Sequence, residues 1–226
     1  MVYDLLFNRG YRVEIGSMLA LFALPGAMFP VHMQQFNTAR ANQASKSPET
    51  ARRKPQAIEM FVEKFVEHSL SQNWKSQAFT LSQTVLAEST KSGLDPMLLL
   101  AVIGNESRFD PTAVGTHGEI GLMQIKPETA KWVANKAGIK WSGAQALFNP
   151  SYNVRIGTAY LAMLSADFGS KQELYLTAYN MGSKKLRRAM GQKMMPKAYV
   201  QNTSAHYSRI YLEFLNDKEP ANYVSL

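Results

Sequence analysis

From residue 58 onward the apolar positions recur with a helical period. Ile58, Phe61, Val62, Phe65 and Val66 stand at i, i+3, i+4, i+7 and i+8, one face of an amphipathic helix, while Glu59, Glu63 and Glu67 fall on the other. A second helix is expected over 75–92, with Gly93 as its left-handed stop. Asp95 is placed to cap the next helix, and Pro96 suits its first turn. That helix, 96–107, is apolar on nearly every side and should be the central buried one. Further helices are expected at 127–137, 150–168 (ended by Gly169), 171–180 and 198–216. No alternating strand pattern stands out beyond a short β-like segment at 120–125. The pattern predicts a mostly α fold without internal repeats.

The N-terminal third reads differently. Residues 15–31, "IGSMLALFALPGAMFPV", hold no charge and follow Arg9 and Arg12. They resemble a signal sequence or membrane anchor, although a spanning helix wants about 20 apolar residues and Pro25 would kink this one. We assign 1–34 to that role, the Gln-, Asn-, Ser- and Arg-rich stretch 35–56 to a linker, and 57–226 to the folded domain. A buried N-terminal helix is the competing reading of 15–31.

The chain of 226 residues is 46% hydrophobic, enough to enclose a core. Its net charge is +8, of which residues 1–55 carry seven Lys/Arg against three acids, or +4. A basic balance favours anionic partners without choosing among nucleic acid, phospholipid and cell-wall polymer. Nucleic acid is disfavoured because the aromatics sit at helical core spacing and no recognised motif is present. The absence of cysteine excludes disulfides, thiolate metal sites and a cysteine nucleophile. His32, His68, His117 and His206 form no paired spacing, so no metal site and no cofactor are expected.

One residue breaks the pattern. Glu106 ends the apolar run "MLLLAVIGN", and Gly115, Gly118 and Gly121 follow within fifteen residues. Burial disfavours a charged carboxylate, and the carboxyl end of a helix, which "FDP" at 109–111 would enforce, disfavours it further. Both effects keep a proton on Glu106 near neutral pH. A carboxylic acid held neutral in a cleft can protonate a glycosidic oxygen. The competing reading is a structural Glu paired with Arg108 or another cation.

The stretch "ESRFDPTAVGTHGEIGLMQIKPETA" and the later "AYNMG" (178–182) resemble, in the right order, the two motifs of lytic transglycosylases with the soluble-lytic-transglycosylase (SLT) domain, relatives of the goose-type lysozymes. The resemblance spans about residues 80–215 and implies a helical, lysozyme-like fold with a substrate cleft. It implies that Glu106 is the catalytic acid. In that family one carboxyl group protonates the oxygen between N-acetylmuramic acid and N-acetylglucosamine, then acts as base toward the muramic C6 hydroxyl, leaving a 1,6-anhydromuramyl end. Ser107, Gly121, Met123, Gln124, Tyr179 and Asn180 match the substrate-binding positions, with the Tyr179 hydroxyl orienting the acid. Tyr207 corresponds to the aromatic of a weaker third motif, for which Tyr199 competes. Peptidoglycan glycan strands are the implied partner, in the periplasm or cell envelope, with an envelope-spanning machine as a further partner and 15–31 as an inner-membrane tether.

The chain departs from the family at two positions. Gly115 stands where a Ser is common, and Glu119 follows Gly118 where "GA" is common. No partner carboxylate is obvious: Asp110 is one turn beyond Glu106, although its place before Pro111 suggests a turn role, and Glu119 and Glu128 are weaker candidates. Near the cleft, Glu119 would raise the pKa of Glu106 further or, like Asp110, supply the second carboxylate of a hydrolase. Loss of the hydroxyl at 115 suggests a catalytically weak wall-binding or scaffold protein as another alternative. Finally, "SKKLRRAMGQKMMPK" (183–197) holds six cations and no acid. It reads either as a basic lip to the cleft or as a solvated surface.

Overall fold

A computed structural model describes residues 57–169, 171–192 and 196–217. The expected signal or anchor at 1–34 and the linker at 35–56 lie outside the described residues. The helical domain is a compact unit that begins at Ile58.

Among the described residues the helices are α1 (Ala57–Ser69), α2 (Ala78–Ser92), α3 (Pro96–Ser107), α4 (Pro127–Ala137), α5 (Pro150–Asp167), α6 (Gln172–Met181), α7 (Ser183–Gly191) and α8 (Ala198–Asn216), with short 3-10 turns at Gln72–Gln77 and Ala144–Phe148. The 120–125 segment forms no strand. Ile120 makes isolated antiparallel bridges to Val114 and Ile125. The architecture is the helical one expected. No described helix is long and apolar enough to cross a membrane.

The apolar face of α1 is buried where the pattern places it, at Phe61, Val62, Phe65 and Val66. The helix expected over 75–92 begins later. Residues 72–77 wind as a 3-10 turn, opened by the Trp74 N–H donating to the Ser71 carbonyl, and the α-helix starts at Ala78. Gly93, at φ 71°, stops it in the left-handed conformation that glycine tolerates best.

Helix α3 is the axis of the fold. The Asp95 carboxylate accepts from the Met97 N–H at 2.8 Å, and Pro96 fills the first turn, where its missing N–H loses nothing. All nine residues Pro96–Gly104 are buried. Each fully enclosed aliphatic side chain there contributes about 1.5–3 kcal/mol of transfer free energy. Helix α8 packs along α3; α2 packs on α5; α5 in turn supports α4 and α6. Helix α7 is not predicted by the pattern, because four cations hide its apolar stripe. Leu186 and Ala189 are buried while Lys184, Lys185, Arg187 and Arg188 are exposed.

Candidate active site

Glu106 lies in the last turn of α3, and the helix stops just beyond it. Proline at 111 is only part of the reason. Arg108 and Phe109 both adopt left-handed backbone, at φ 54° and 63°. For two consecutive non-glycine residues this conformation costs of order 1–2 kcal/mol each. Burial of the Phe109 ring, edge-on to Phe65 of α1 at 5.8 Å, offsets that cost. Asp110, one of the candidate second carboxylates, is committed to the turn: its Oδ1 accepts from the Thr112 N–H (2.8 Å) and hydroxyl (2.7 Å). Glu128 is an exposed residue in the first turn of α4.

The Glu106 carboxyl is pushed up to about 7. Burial is the largest cause. The Tyr199 hydroxyl, donating to Oε1 at 2.6 Å, pulls the other way, and the negative charge of Glu119 pushes up again. An acid with this midpoint exchanges its proton near neutrality, where general acid and general base roles are both open to it.

The residues aligned to the family's Tyr positions take different tasks. Tyr207 is buried and donates to Asp95 Oδ2 at 2.8 Å, at the opposite end of α3 from Glu106, so it does not reach the acid. Tyr199, the competitor, is the aromatic on α8 that does. Tyr179 does not touch Glu106 by a hydrogen bond either; its hydroxyl donates to the Met123 carbonyl at 2.8 Å.

The loop 113–125 forms the floor beside the acid. Its backbone closes through the Gly115 N–H to the Glu119 carbonyl, the Gly121 N–H to the Ala113 carbonyl (both 2.8 Å), and reciprocal bonds between Ile120 and Ile125. The Ser107 hydroxyl ties this loop to α3 by donating to the Leu122 carbonyl at 2.8 Å, which makes Ser107 a clasp. Gln124, at φ 47°, donates through Nε2 to the Ala113 and Gly121 carbonyls.

Two of the expected substrate contacts turn out to face the protein interior. Gly121, at φ 77°, makes its close approach to the Asn153 amide and the Leu147 carbonyl. The Met123 side chain has no exposed surface, because it packs into the gap left by Gly157 on α5. Asn153, which the pattern does not single out, holds these pieces together. Wholly buried, it accepts from the Met123 N–H at 2.8 Å and donates to the carbonyls of Ile120 (2.8 Å) and Leu147 (2.9 Å). Its one available signal is a polar residue at a core position of an apolar helix.

A cleft of about 340 Å³ opens beside this floor. Its lining includes Gln124, Tyr179 and Asn180 from the expected set, together with His117, Glu119, Lys126, Tyr160 and Lys185. Glu106 is not among the lining residues, yet two of them, Glu119 and Tyr179, interact with it electrostatically, so the acid adjoins the cleft. Burial, Glu106 and Tyr160 all hold the Tyr179 phenol far above its ordinary range, so it serves only as a neutral hydroxyl. The Tyr179 and Tyr160 rings lie 5.4 Å apart, and Tyr160 meets Trp132 of α4 edge-on at 6.5 Å. Of the basic run, Lys185 reaches the cleft, while Arg187 lies over the Phe168 ring at 5.0 Å. Among the described residues no three His, Asp or Glu side chains cluster to hold a metal ion.

Comparison with known proteins identifies relatives of this chain. The chain is 32% identical over 135 residues to a putative soluble lytic murein transglycosylase of Haemophilus influenzae, a match covering 53% of this chain and 22% of that protein. It therefore spans under a quarter of the length of this relative. Its fold resembles the 70 kDa soluble lytic transglycosylase of Escherichia coli, with a TM-score of 0.55 at 22% identity over 86% of this chain and 38% of the other. It also resembles an inactive mutant of the lytic transglycosylase Slt from Pseudomonas aeruginosa, with a TM-score of 0.54 at 24% identity over 95% and 39%. The family described as "Transglycosylase SLT domain" matches residues 83–202, from α2 through the Tyr199 that meets Glu106, and the chain belongs to that family.

Proposed function

We propose that this chain is a peptidoglycan lytic transglycosylase that cleaves the β-1,4 bond between N-acetylmuramic acid and N-acetylglucosamine and leaves a 1,6-anhydromuramyl end. One observation carries the reading: the carboxyl at the end of the buried helix has its midpoint near 7 and a phenol donating to one of its two oxygens, beside an open cleft. Tyr199 occupies Oε1, so Oε2 is left to carry the proton to the glycosidic oxygen. The leaving sugar departs with that proton, and Glu106, now ionised, takes the proton of the muramic C6 hydroxyl as it attacks C1. The acid is then restored and no water is consumed. Tyr160 and Tyr179 offer aromatic surface to sugar rings, and Gln124 and Asn180 offer amides to their hydroxyl and acetamido groups. We place this activity in the periplasm or cell envelope, where the substrate is.

The second reading is a hydrolase, favoured by Glu119 lining the same cleft as an ionised carboxylate. Asp110 is spent on its turn. Digestion of purified sacculi with the full chain, followed by mass analysis, separates the readings. Transglycosylation gives anhydro products, hydrolysis adds one water to each, and binding without release of soluble fragments points to a wall-binding protein. Anhydro products that vanish in Glu106→Gln support the proposal; water-added products overturn it.

A further inference from the structure

Gly115 and Glu119 depart from the family pattern together, and the structure ties them to each other. Gly115 does not need its glycine for backbone reasons, because its φ is not left-handed. What it lacks is room. A Cβ there would collide with Glu119 Oε2, lie 2.8 Å from Gln124 Oε1 and 3.1 Å from the Glu119 Cβ. The Glu119 carboxylate thus rests over the bare backbone at 115, and its position is fixed by three partners. Oε2 accepts from the His117 N–H at 3.0 Å, while Oε1 faces Lys126 Nζ at 3.5 Å and the His117 ring at 3.9 Å. Partial burial pushes this carboxyl up, but the backbone donors at 119 and 117 and the Lys126 ammonium outweigh it and hold it below the usual carboxylate range. It is an anion on the cleft wall.

We propose that Glu119 is a second functional carboxylate of the cleft, seated in the space that glycine at 115 leaves, where it acts beside Glu106 and favours positive charge developing on the sugar. The inference rests on the transglycosylase reading for its second half only. Glycosidic cleavage passes through an oxocarbenium-like state, and a fixed anion stabilises that state more than the neutral substrate. The groups acting on Glu106 are Glu119 from the loop, Tyr199 from α8 and Tyr179 from α6; those facing Glu119 are His117, Lys126 and, across the same cleft, Lys185 from α7. The pairing also explains Gly115 without a loss of function: a side chain at 115 would displace the anion.

The test uses the full chain with carbon-13-labelled glutamate. The Glu106 titration is followed by nuclear magnetic resonance in the wild type, in Glu119→Gln, and in the double variant Gly115→Ser with Glu119→Ala, which refills the space without charge. The Glu106 midpoint should fall in both variants, and kcat on glycan strands should drop about tenfold with KM little changed. A midpoint unmoved in either folded variant, or kcat within twofold of wild type, overturns the proposal. Because the titration needs no turnover, an inactive wild type would defeat the transglycosylase reading alone and leave the carboxylate pairing to be judged by the midpoint.

Discussion

The Tyr199 hydroxyl donates to Glu106 Oε1 at 2.6 Å, joining residues 93 positions apart and bracing the end of α3 against α8. The bond favours the ionised carboxylate, in opposition to burial and to Glu119. Its removal has a signed consequence. Tyr199→Phe should raise the Glu106 midpoint, so the basic limb of the pH–kcat profile moves to higher pH while kcat falls by roughly 10- to 100-fold through lost orientation of the acid. Tyr207→Phe, at the other end of α3, should leave that limb where it is. A limb that moves down in Tyr199→Phe would refute the assignment.

A raised midpoint also has a stability signature. Between an unfolded value of 4.5 and a folded value of about 7, the native state keeps a proton that the unfolded chain has lost, so stability falls as pH rises through that window. The shift is equivalent to about 3 kcal/mol as an upper figure. Glu106→Gln keeps an acceptor for Tyr199 and removes the titration. It should therefore be more stable than wild type at pH 8, by several degrees in Tm, with the difference vanishing toward pH 5. Thermal melts across that range test this, and a difference independent of pH would contradict it.

Asn153 is a stability prediction with a functional readout. Its amide makes three buried hydrogen bonds, two of them to the loop that floors the cleft. Asn153→Ala takes from the Met123 N–H and the Leu147 carbonyl their amide partner, while the Ile120 carbonyl keeps the Ile125 N–H, and should cost about 2–4 kcal/mol. Gly121→Ala strains a left-handed residue and drives a methyl into the same amide, so it should cost a comparable amount. Chemical denaturation measures both losses. The two together should cost less than their sum, because each disrupts the same contact.

The helices were legible because periodicity and end signals coincide in them. Asp95, Pro96 and Gly93 bound α3 and α2 by rules that operate within a few residues of chain. The acid was legible for a similar reason, as a carboxylate closing an apolar run. What could not be read was which side of each motif residue faces the cleft. Met123 and Gly121 sit in a matched motif yet point inward, because Gly157 and Asn153 on α5 receive them, and nothing local encodes that meeting. The choice between Tyr199 and Tyr207 depended likewise on how α8 is rotated against α3. Helix α7 was obscured by its own charge, since its narrow stripe of Leu186 and Ala189 is outnumbered by cations.

Those cations divide by location, which gives a last prediction. Lys185 lines the cleft, whereas Arg187 is engaged with the Phe168 ring and Lys184 and Arg188 face solvent. If the strand in the cleft bears carboxylates on its lactyl-peptide branches, Lys185 attracts it over a distance set by salt screening, about 8 Å at physiological ionic strength. Lys185→Ala should raise KM on peptide-bearing strands by about threefold to tenfold with kcat nearly constant, and the effect should shrink as salt is added. Strands stripped of their peptides should show no such change, which separates charge attraction from damage to the cleft. Lys184→Ala, on the exposed face of the same helix, should change KM by less than about twofold. An equal effect of the two substitutions would mean that α7 acts through its overall charge and that Lys185 has no privileged place in the cleft.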